Sequence, residues 1–269
     1  MAEIFIENCD CFDFMNRMIV NDIKADLIIT SPPYNTSRSG SGDEYNRRYD
    51  VFNDNLSNEE YGNWTIDLFK IFDKILQKDG VILYNLSYST EQSRIMSFWL
   101  SLFSIINETT FMVADIIAWK KKSAIPNNVS KNKLTRIVEF IFVICRKNEF
   151  MTFNSNKKQK SVSSKNQVFY ENIYNLIEAS NNDGTCSLNK STYSSELIEK
   201  LLNIYCPKDI QTVIYDPFMG TGSTAIGCEK YSDNIICLGS ELSKDQVQYS
   251  NERIKKYRYE RDSKKKNII

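Results

Sequence analysis

The sequence predicts one α/β domain built on a doubly wound, mostly parallel β-sheet. Amphipathic stretches with helical spacing alternate with short apolar runs of β-forming residues, which is the pattern of a parallel sheet covered by helices. A strand, a loop, a helix and a second strand follow one another without interruption over residues 212–239. The chain has 269 residues, of which 42% are hydrophobic, so it can bury one large core.

The elements follow in chain order. In the first half we predict a short strand ending at residues 5–6, a helix over 12–20, a buried strand over 26–30, a long polar loop over 36–57, a helix over 58–76, a strand over 81–85 and a helix over 90–103. In the second half we predict strands over 111–119 and 136–145, loop or small-appendage material over 151–190, a helix over 196–205, strands over 212–215 and 235–239 around a helix over 224–230, a last helix over 244–256 and a frayed tail.

The composition excludes several classes of protein. Histidine is absent, which excludes serine–histidine triads, zinc proteases and most catalytic zinc sites, so we expect no metal. The seven cysteines form no CxxC pair, which favours a reducing cytoplasm over a disulfide framework. No apolar run approaches the roughly 18 residues that a membrane span needs, and the N-terminus lacks the pattern of a signal peptide.

A glycine-containing loop, DPFMGTGST, lies between the predicted strand and helix of residues 212–230. At such a position the backbone N–H groups of a loop meet a nucleotide or nucleoside. The loop matches neither a P-loop nor the dinucleotide motif GxGxxG, so it indicates a nucleoside without a polyphosphate. Glu241 follows the next strand at the distance expected of a carboxylate that binds ribose hydroxyls. The alternative is a tight structural turn.

A second loop, TSPPYN, follows the buried strand of residues 26–30. Two consecutive prolines fix φ at two positions and cannot continue a strand ladder, so the segment forms a rigid ledge. The Ser31 hydroxyl and the Pro32 carbonyl can accept hydrogen bonds from an aromatic amine, and Tyr34 offers a face for its ring. Taken alone, the segment could equally be a plain turn.

Together, SPPY and FMGTG resemble the motifs of the amino-group DNA methyltransferases, [DNS]-PP-[YFW] and FxGxG. The order of the two motifs resembles the β group of that family, which places its target-recognition region between them. The resemblance covers most of the chain and implies a single catalytic domain over residues 1–269, with the target-recognition region over 120–190. It also implies a Rossmann-like sheet of the S-adenosylmethionine-dependent type.

The resemblance implies S-adenosyl-L-methionine as the cofactor and double-stranded DNA with a flipped base as the substrate. The implied catalytic residues are Ser31, Pro32, Pro33 and Tyr34. The implied cofactor-binding residues are Asp10, Cys11, Asp216, Phe218, Gly220, Thr221, Gly222, Thr224 and Glu241. A cognate restriction endonuclease and a homodimer are further expectations of the resemblance. The segment LNKSTYSSEL departs from the family pattern because it lacks the usual proline, so no cofactor contact is assigned there.

The motifs fit two target amines, N4 of cytosine and N6 of adenine. Family members with serine at the first motif position resemble the cytosine-N4 enzymes, so we favour cytosine N4 over adenine N6. RNA and protein-glutamine methyltransferases usually place the cofactor motif first. A non-catalytic nucleic-acid-binding module on the same fold is a more distant alternative, against which the intact motifs and Glu241 argue.

The net charge is zero, but basic residues cluster locally. We predict phosphate contacts from Arg38, Arg47, Arg48, Lys120, Lys121, Lys122, Lys131 and Lys133, which lie in the loop after SPPY and in the central basic stretch. A second lysine-rich stretch over residues 157–165 is expected to add to this term. The alternative for each cluster is a solvated surface face.

Overall fold

A computed structural model describes residues 1–35, 56–87, 94–124, 126–129, 131–132, 134–153, 155–184, 186, 188–189 and 192–266. The strands are β1 (Glu3–Asn8), β2 (Ala25–Thr30), β3 (Leu76–Leu86), β4 (Phe111–Lys121), β5 (Val138–Arg146), β6 (Gln159–Val162), β7 (Val168–Tyr170), β8 (Leu176–Ala179), β9 (Thr212–Asp216) and β10 (Ile235–Glu241). The α-helices are α1 (Cys11–Val20), α2 (Asn58–Ile75), α3 (Arg94–Glu108), α4 (Ser195–Tyr205), α5 (Ser223–Tyr231) and α6 (Lys244–Lys266).

The main sheet has eight strands in the order β1-β10-β9-β2-β3-β5-β4-β8. The first five of these strands run parallel, and β5 is antiparallel to both of its neighbours. The prediction of a mostly parallel α/β sheet is therefore confirmed, with β5 as the exception. Antiparallel pairing at β5 places its N-terminal end at the same sheet edge as the carboxyl ends of β2 and β3.

Helices cover both faces of the sheet. One buried cluster contains side chains of α4, α5 and α6, and the other contains side chains of α1, α2 and α3. In the second cluster Phe69 packs edge-on against Phe72, Tyr84 and Phe111. Such aromatic pairs add about 0.5–1.5 kcal/mol each beyond their area burial. No helix of the described residues is long and apolar enough to cross a membrane.

Local signals account for where several helices begin. Ser57 and Glu60 form a reciprocal capping box at the start of α2, and Asp10 caps α1 by accepting from the Phe12 N–H at 2.8 Å. The strand and helix bounds predicted for β2, α1, α2, α4 and β9 agree with the structure to within one or two residues. The described part of α3 begins at Arg94, and the predicted start at residue 90 lies outside the described residues.

Three predictions need correction. Strand β3 begins at Leu76, five residues before the predicted start at residue 81. The stretch 151–190 is not only loop and appendage, because β8 joins the main sheet beside β4, while β6 and β7 form a separate two-stranded sheet. The tail after residue 256 is helical through Lys266. There Arg258 and Arg261 both contact Glu229, whose side chain is fully buried, at 2.6 and 2.7 Å. A tertiary ion pair of this kind leaves no periodic signal in the sequence.

Candidate active site

The two predicted motifs meet at one edge of the sheet. Strands β1, β10, β9 and β2 are parallel neighbours, so the segments that follow them emerge side by side. Ser31 follows β2, Phe218 follows β9, Glu241 ends β10 and Asp10 follows β1. One pocket joins these segments and is lined by Cys9, Asp10, Cys11, Ser31, Pro33, Trp64, Asn189, Thr192, Tyr193, Pro217, Phe218, Met219, Gly220, Thr221, Ser223, Glu241, Leu242 and Gln246.

The buried carboxylate of Asp216 holds the glycine loop through four hydrogen bonds. Asp216 Oδ1 accepts from the Thr30 hydroxyl and the Phe218 N–H, each at 3.0 Å. Its Oδ2 accepts from the Tyr193 hydroxyl at 2.9 Å and the Thr224 hydroxyl at 2.5 Å. Burial raises the pKa of the Asp216 carboxyl, while these four donors act in the opposite direction. Asp216 and Thr224 were predicted to bind the cofactor, but here they hold the loop and do not line the pocket.

The two glycines of FMGTG differ in their surroundings. Gly222 has a φ of 83° and begins α5, and a Cβ there would lie 2.2 Å from the Ser250 hydroxyl oxygen. Gly220 has a φ of 54°, but a Cβ there would meet its nearest neighbours at an ordinary 3.5 Å. Gly222 therefore requires glycine for both conformation and space. Gly220 and Thr221 line the pocket, and Gly222 does not.

Glu241 is locked in place by two backbone donors. Its Oε2 accepts from the Gly220 N–H and its Oε1 from the Ser243 N–H, each at 2.9 Å. The carboxylate thus ties the glycine loop to the end of β10 and still faces the pocket. Each carboxylate oxygen can accept a second hydrogen bond, so the predicted contact with ribose hydroxyls is chemically available.

Asp10 and Cys11 form the opposite wall. The Asp10 carboxylate lines the pocket while it caps α1. Burial raises the pKa of the Cys11 thiol, so Cys11 contributes an apolar surface and not a thiolate. Asp10, Cys11, Phe218, Gly220, Thr221 and Glu241 are the predicted cofactor residues that the structure brings together around one cavity.

The SPPY ledge is held by side chains from distant elements. The Tyr61 hydroxyl of α2 donates to the Pro33 carbonyl at 2.7 Å. The Asn35 amide accepts from and donates to the backbone of Leu56, with both distances 2.8 Å. Pro32 and Pro33 are buried, and Ser31 and Pro33 line the pocket while Pro32 and Tyr34 do not.

The Tyr34 hydroxyl makes specific contacts behind the pocket. It lies 2.7 Å from the Ser31 hydroxyl and accepts from the Asn85 amide at 2.7 Å. Two other aromatic rings stand at the cofactor side of the pocket, where Trp64 and Phe218 lie 5.8 Å apart. The stacking role predicted for Tyr34 stays a prediction.

Three of the lysines predicted to bind DNA form ion pairs within the chain. Lys120 pairs with Glu178 at 2.6 Å, Lys121 with Glu139 at 2.5 Å, and Lys122 with Glu196 at 2.8 Å. Lys131 is exposed. Arg38, Arg47, Arg48 and Lys133, with most of the predicted loop over 36–57, lie outside the described residues. Among the described residues no group of three or more acidic or cysteine side chains could hold a metal ion.

Sequence reasoning missed several residues that line the pocket. Trp64 lies on α2, and Asn189, Thr192 and Tyr193 lie in the segment where the missing proline had left contacts unassigned. Gln246 lies on α6 and accepts from the Asn189 amide at 3.0 Å. The position of LNKSTYSSEL at the start of α4 could have indicated the contacts of Asn189, Thr192 and Tyr193. Trp64 and Gln246 lie on helices without a motif, so no pattern in the sequence indicates them.

Known proteins resemble this chain, two of those described here over most of its length. It is 22% identical over 254 residues to the type II methyltransferase M.BglII of Bacillus subtilis, covering 87% of this chain and 65% of that protein. It is 23% identical to the orphan methyltransferase M.BamHII of Bacillus amyloliquefaciens, covering 88% of this chain and 91% of that protein. The chain also spans 52% of the type II methyltransferase M.MjaVI of Methanocaldococcus jannaschii, at 30% identity over 111 residues.

Solved structures share the fold. The PvuII DNA methyltransferase, described as cytosine-N4-specific, matches with a TM-score of 0.68 and 16% identity over 93% of this chain and 86% of that chain. The M1.HpyAVI–SAM complex matches with a TM-score of 0.59 and 20% identity over 93% of this chain and 98% of that chain. The predicted methyltransferase-type sheet is thereby confirmed.

The model of one protein family, N6_N4_Mtase, described as DNA methylase, matches residues 25–252. The match begins at the first residue of β2, extends into α6 and includes both predicted motifs. Because it covers far more than half of the chain, this protein belongs to the N6_N4_Mtase family of DNA methylases.

Proposed function

We propose that the chain transfers a methyl group from S-adenosyl-L-methionine to the exocyclic amine of a base in DNA, with cytosine N4 as the target. The observation that carries this proposal is the shared pocket. Ser31 and Pro33 of the ledge line the same cavity as Asp10, Gly220 and Glu241 of the cofactor side. A methyl donor and an amine must lie in one cavity for a direct transfer, because the displacement is in line.

The pocket suits this cofactor. Two carboxylates, Asp10 and Glu241, line it, and the described residues of its wall include no lysine or arginine. A wall of that charge disfavours a phosphorylated nucleotide and favours a nucleoside that carries a positive sulfonium. Glu241 and Asp10 would hold the nucleoside, and the cofactor supplies an electrophilic methyl group when it is bound. The M1.HpyAVI structure was solved with this cofactor and shares the fold.

The ledge would prepare the amine for attack. The lone pair of an aromatic amine is delocalised into its ring, and acceptors near the N–H groups favour a pyramidal nitrogen with a localised lone pair. The Ser31 hydroxyl and the Pro32 carbonyl would provide such acceptors on a rigid support. Since this stabilisation is largest when the amine is pyramidal, it lowers the barrier and not merely the energy of the bound base.

A base in duplex DNA must leave the stack to reach this pocket. That step costs a few kcal/mol. Stacking on an aromatic ring such as Tyr34 would return about 1–3 kcal/mol. We assign the phosphate contacts to the predicted basic residues and target recognition to residues 120–190. The relatives include both type II and orphan methyltransferases, so a cognate restriction endonuclease stays a prediction. A homodimer is a second prediction from the family resemblance.

The choice of cytosine N4 rests on Ser31 at the first motif position. The amine of adenine presents the same N–H geometry to the ledge, so adenine N6 is the alternative. Nucleoside mass spectrometry of DNA methylated by the purified chain decides between them. N4-methylcytosine is expected, and 6-methyladenine would keep the reaction while correcting the base.

The sharpest test of the reaction changes the ledge alone. Tyr34→Ala removes the ring and its hydroxyl but leaves the glycine loop and Glu241 intact, so methylation should fall sharply while cofactor binding survives. Ser31→Ala removes one acceptor and should slow methylation by about tenfold to a hundredfold, equivalent to about 1–3 kcal/mol. Wild-type methylation rates in Tyr34→Ala would mean that SPPY is only a turn and that the active site lies elsewhere.

A further inference from the structure

A row of polar side chains crosses four neighbouring strands behind the ledge. Ser31 follows β2, Asn85 lies near the end of β3, Glu139 near the start of β5, and Lys121 ends β4, in the order of these strands in the sheet. The antiparallel course of β5 is what brings Glu139 to this edge. Asn85 is 5% exposed, and the side chains of Glu139 and Lys121 are 16% and 24% exposed. The row is therefore largely shielded from water.

The charged end of the row fixes the orientation of the Asn85 amide. Lys121 Nζ lies 2.5 Å from Glu139 Oε1, so the two side chains form an ion pair. An ionised carboxylate only accepts hydrogen bonds, so the group of Asn85 that faces Glu139 Oε2 at 3.1 Å must be its NH2 group. The same nitrogen then donates its second hydrogen to the Tyr34 hydroxyl at 2.7 Å.

The orientation of the amide favours one direction for the next hydrogen bond. Either hydroxyl could donate in the 2.7 Å contact between Tyr34 and Ser31. Because the Tyr34 oxygen already accepts from Asn85, we infer that Tyr34 donates to Ser31 and that Ser31 directs its own hydrogen elsewhere. Since Ser31 lines the pocket, that hydrogen and a remaining lone pair can serve a bound base.

The carbonyl oxygen of Asn85 also indicates that its amide is held in one orientation. Among the described residues, Asn85 Oδ1 is buried without a hydrogen-bond partner. A buried carbonyl without a hydrogen-bond partner destabilises the fold. Rotating the amide by half a turn would place this oxygen against the Glu139 carboxylate. Two acceptors would then repel each other, which is less favourable than one unpaired carbonyl. A buried unpaired polar atom beside an active site favours the interpretation that the arrangement is kept for function.

We propose that Asn85 and Glu139 are positioning residues, which act through Tyr34 to set the direction of the hydrogen bond that Ser31 receives. The proposal deepens the proposed function and rests on it. It also gives Lys121 a role in holding Glu139, in addition to the phosphate contact predicted from the sequence. Neither Asn85 nor Glu139 touches the cofactor pocket, so their loss should leave cofactor binding intact.

The test is a double-mutant cycle between Glu139→Gln and Tyr34→Phe. Glutamine keeps the size of the side chain but can present either an oxygen or an NH2 group to Asn85, so the orientation of the amide is no longer enforced. We expect Glu139→Gln to lower kcat about tenfold with unchanged cofactor affinity, and Tyr34→Phe to lower it by a similar factor. In the Tyr34→Phe background, Glu139→Gln should lower kcat less than about twofold. The Tyr34 hydroxyl is then absent, and the direct contact from the Asn85 amide nitrogen to the Ser31 hydroxyl oxygen is long, at 3.4 Å.

The matched control is Glu260→Gln. Glu260 pairs with Lys256 on α6 at 3.9 Å, outside the ledge and the predicted target-recognition region, and its side chain is 54% exposed. It should change kcat less than about twofold in both backgrounds. Every kcat is expressed per cofactor-binding site measured by calorimetry, so unfolded protein does not enter the comparison.

Two outcomes would overturn the proposal: wild-type kcat in Glu139→Gln, or an undiminished loss in the Tyr34→Phe background. The second would show that Glu139 supports the sheet edge and does not act through the Tyr34 hydroxyl. Methylation of DNA by the wild-type chain tests the proposed function separately. A failure of the positioning network is therefore distinguishable from a failure of the assigned reaction.

Discussion

The glycine loop and the SPPY ledge lie in one pocket but are held in different ways. Two of the four donors to Asp216 come from within eight residues of it, and the Met219 N–H donates to the Ser240 carbonyl of the neighbouring strand. The ledge is held by side chains that are far away in sequence, with Tyr61 28 positions from Pro33 and Asn85 51 positions from Tyr34. The loop is thus held partly by its own residues and partly by neighbouring elements, whereas the ledge is held mainly by its neighbours in space.

This difference predicts how each region responds to mutation. Changes in the glycine loop should act on folding and on the cofactor together, because the Phe218 N–H and the Thr224 hydroxyl of this segment donate to the buried Asp216. Changes around the ledge should act on the rate of transfer, because the loop and its carboxylates remain in place. Four substitutions test this division, from the largest expected effect to the smallest.

Gly222→Ala should have the largest effect. The added Cβ would lie 2.2 Å from the Ser250 hydroxyl oxygen and would have to adopt a φ of 83°. Left-handed backbone costs about 1–2 kcal/mol and overpacking about 1–3 kcal/mol. We expect a loss of several degrees in Tm and of most cofactor binding, measured by calorimetry.

Gly220→Ala is the matched control for this substitution. Its φ of 54° is also left-handed, but a Cβ there meets only ordinary contacts at 3.5 Å. It should therefore destabilise the chain clearly less than Gly222→Ala. Equal losses in the two variants would show that conformation alone, and not the contact with Ser250, makes Gly222 necessary.

Glu241→Gln should weaken cofactor binding. The carboxylate accepts from the N–H groups of Gly220 and Ser243, and an amide would turn an NH2 group toward one of them. Losing one such hydrogen bond costs about 1–3 kcal/mol, so cofactor affinity should fall about tenfold or more. Methylation at saturating cofactor should change much less. Unchanged affinity in a titration would remove Glu241 from the cofactor site.

Tyr61→Phe should slow the transfer without affecting the cofactor. It removes the donor to the Pro33 carbonyl at 2.7 Å and keeps the ring that packs on Trp64 at 5.6 Å. The net worth of such a bond is about 0.5–1.5 kcal/mol, so kcat should fall a few-fold. The cofactor dissociation constant should stay within twofold of the wild type. A weaker cofactor affinity with unchanged kcat would contradict the division between the two regions.

The same difference explains what the sequence could predict. SPPY, FMGTG and the position of Glu241 are local patterns, Asp10 was implied by the family resemblance, and the pocket joins all four. The sequence assigned no role to Trp64, Asn85 or Glu139, and only the sheet order places them beside the pocket and the ledge. Strand β8 has four residues and only two buried side chains, Ile177 and Ala179, so it needs β4 as a partner to be recognised. The last turns of α6 depend in the same way on the buried Glu229.

Substitution of the basic residues should have the smallest effect, a change in the salt dependence of DNA binding. The change should be larger for an exposed lysine than for a lysine in an ion pair. Each phosphate contact contributes about 0.9 to the slope of log affinity against log salt concentration. Lys131 is exposed, whereas Lys120 must give up its ion pair with Glu178, 2.6 Å away, before it can bind a phosphate. Lys131→Ala should therefore lower the slope by about one contact, and Lys120→Ala by clearly less. Affinity for a duplex oligonucleotide, measured at several salt concentrations, gives both slopes. An unchanged slope in Lys131→Ala would place the DNA-binding surface away from the central basic stretch, while the glycine loop and the ledge would keep their assigned roles.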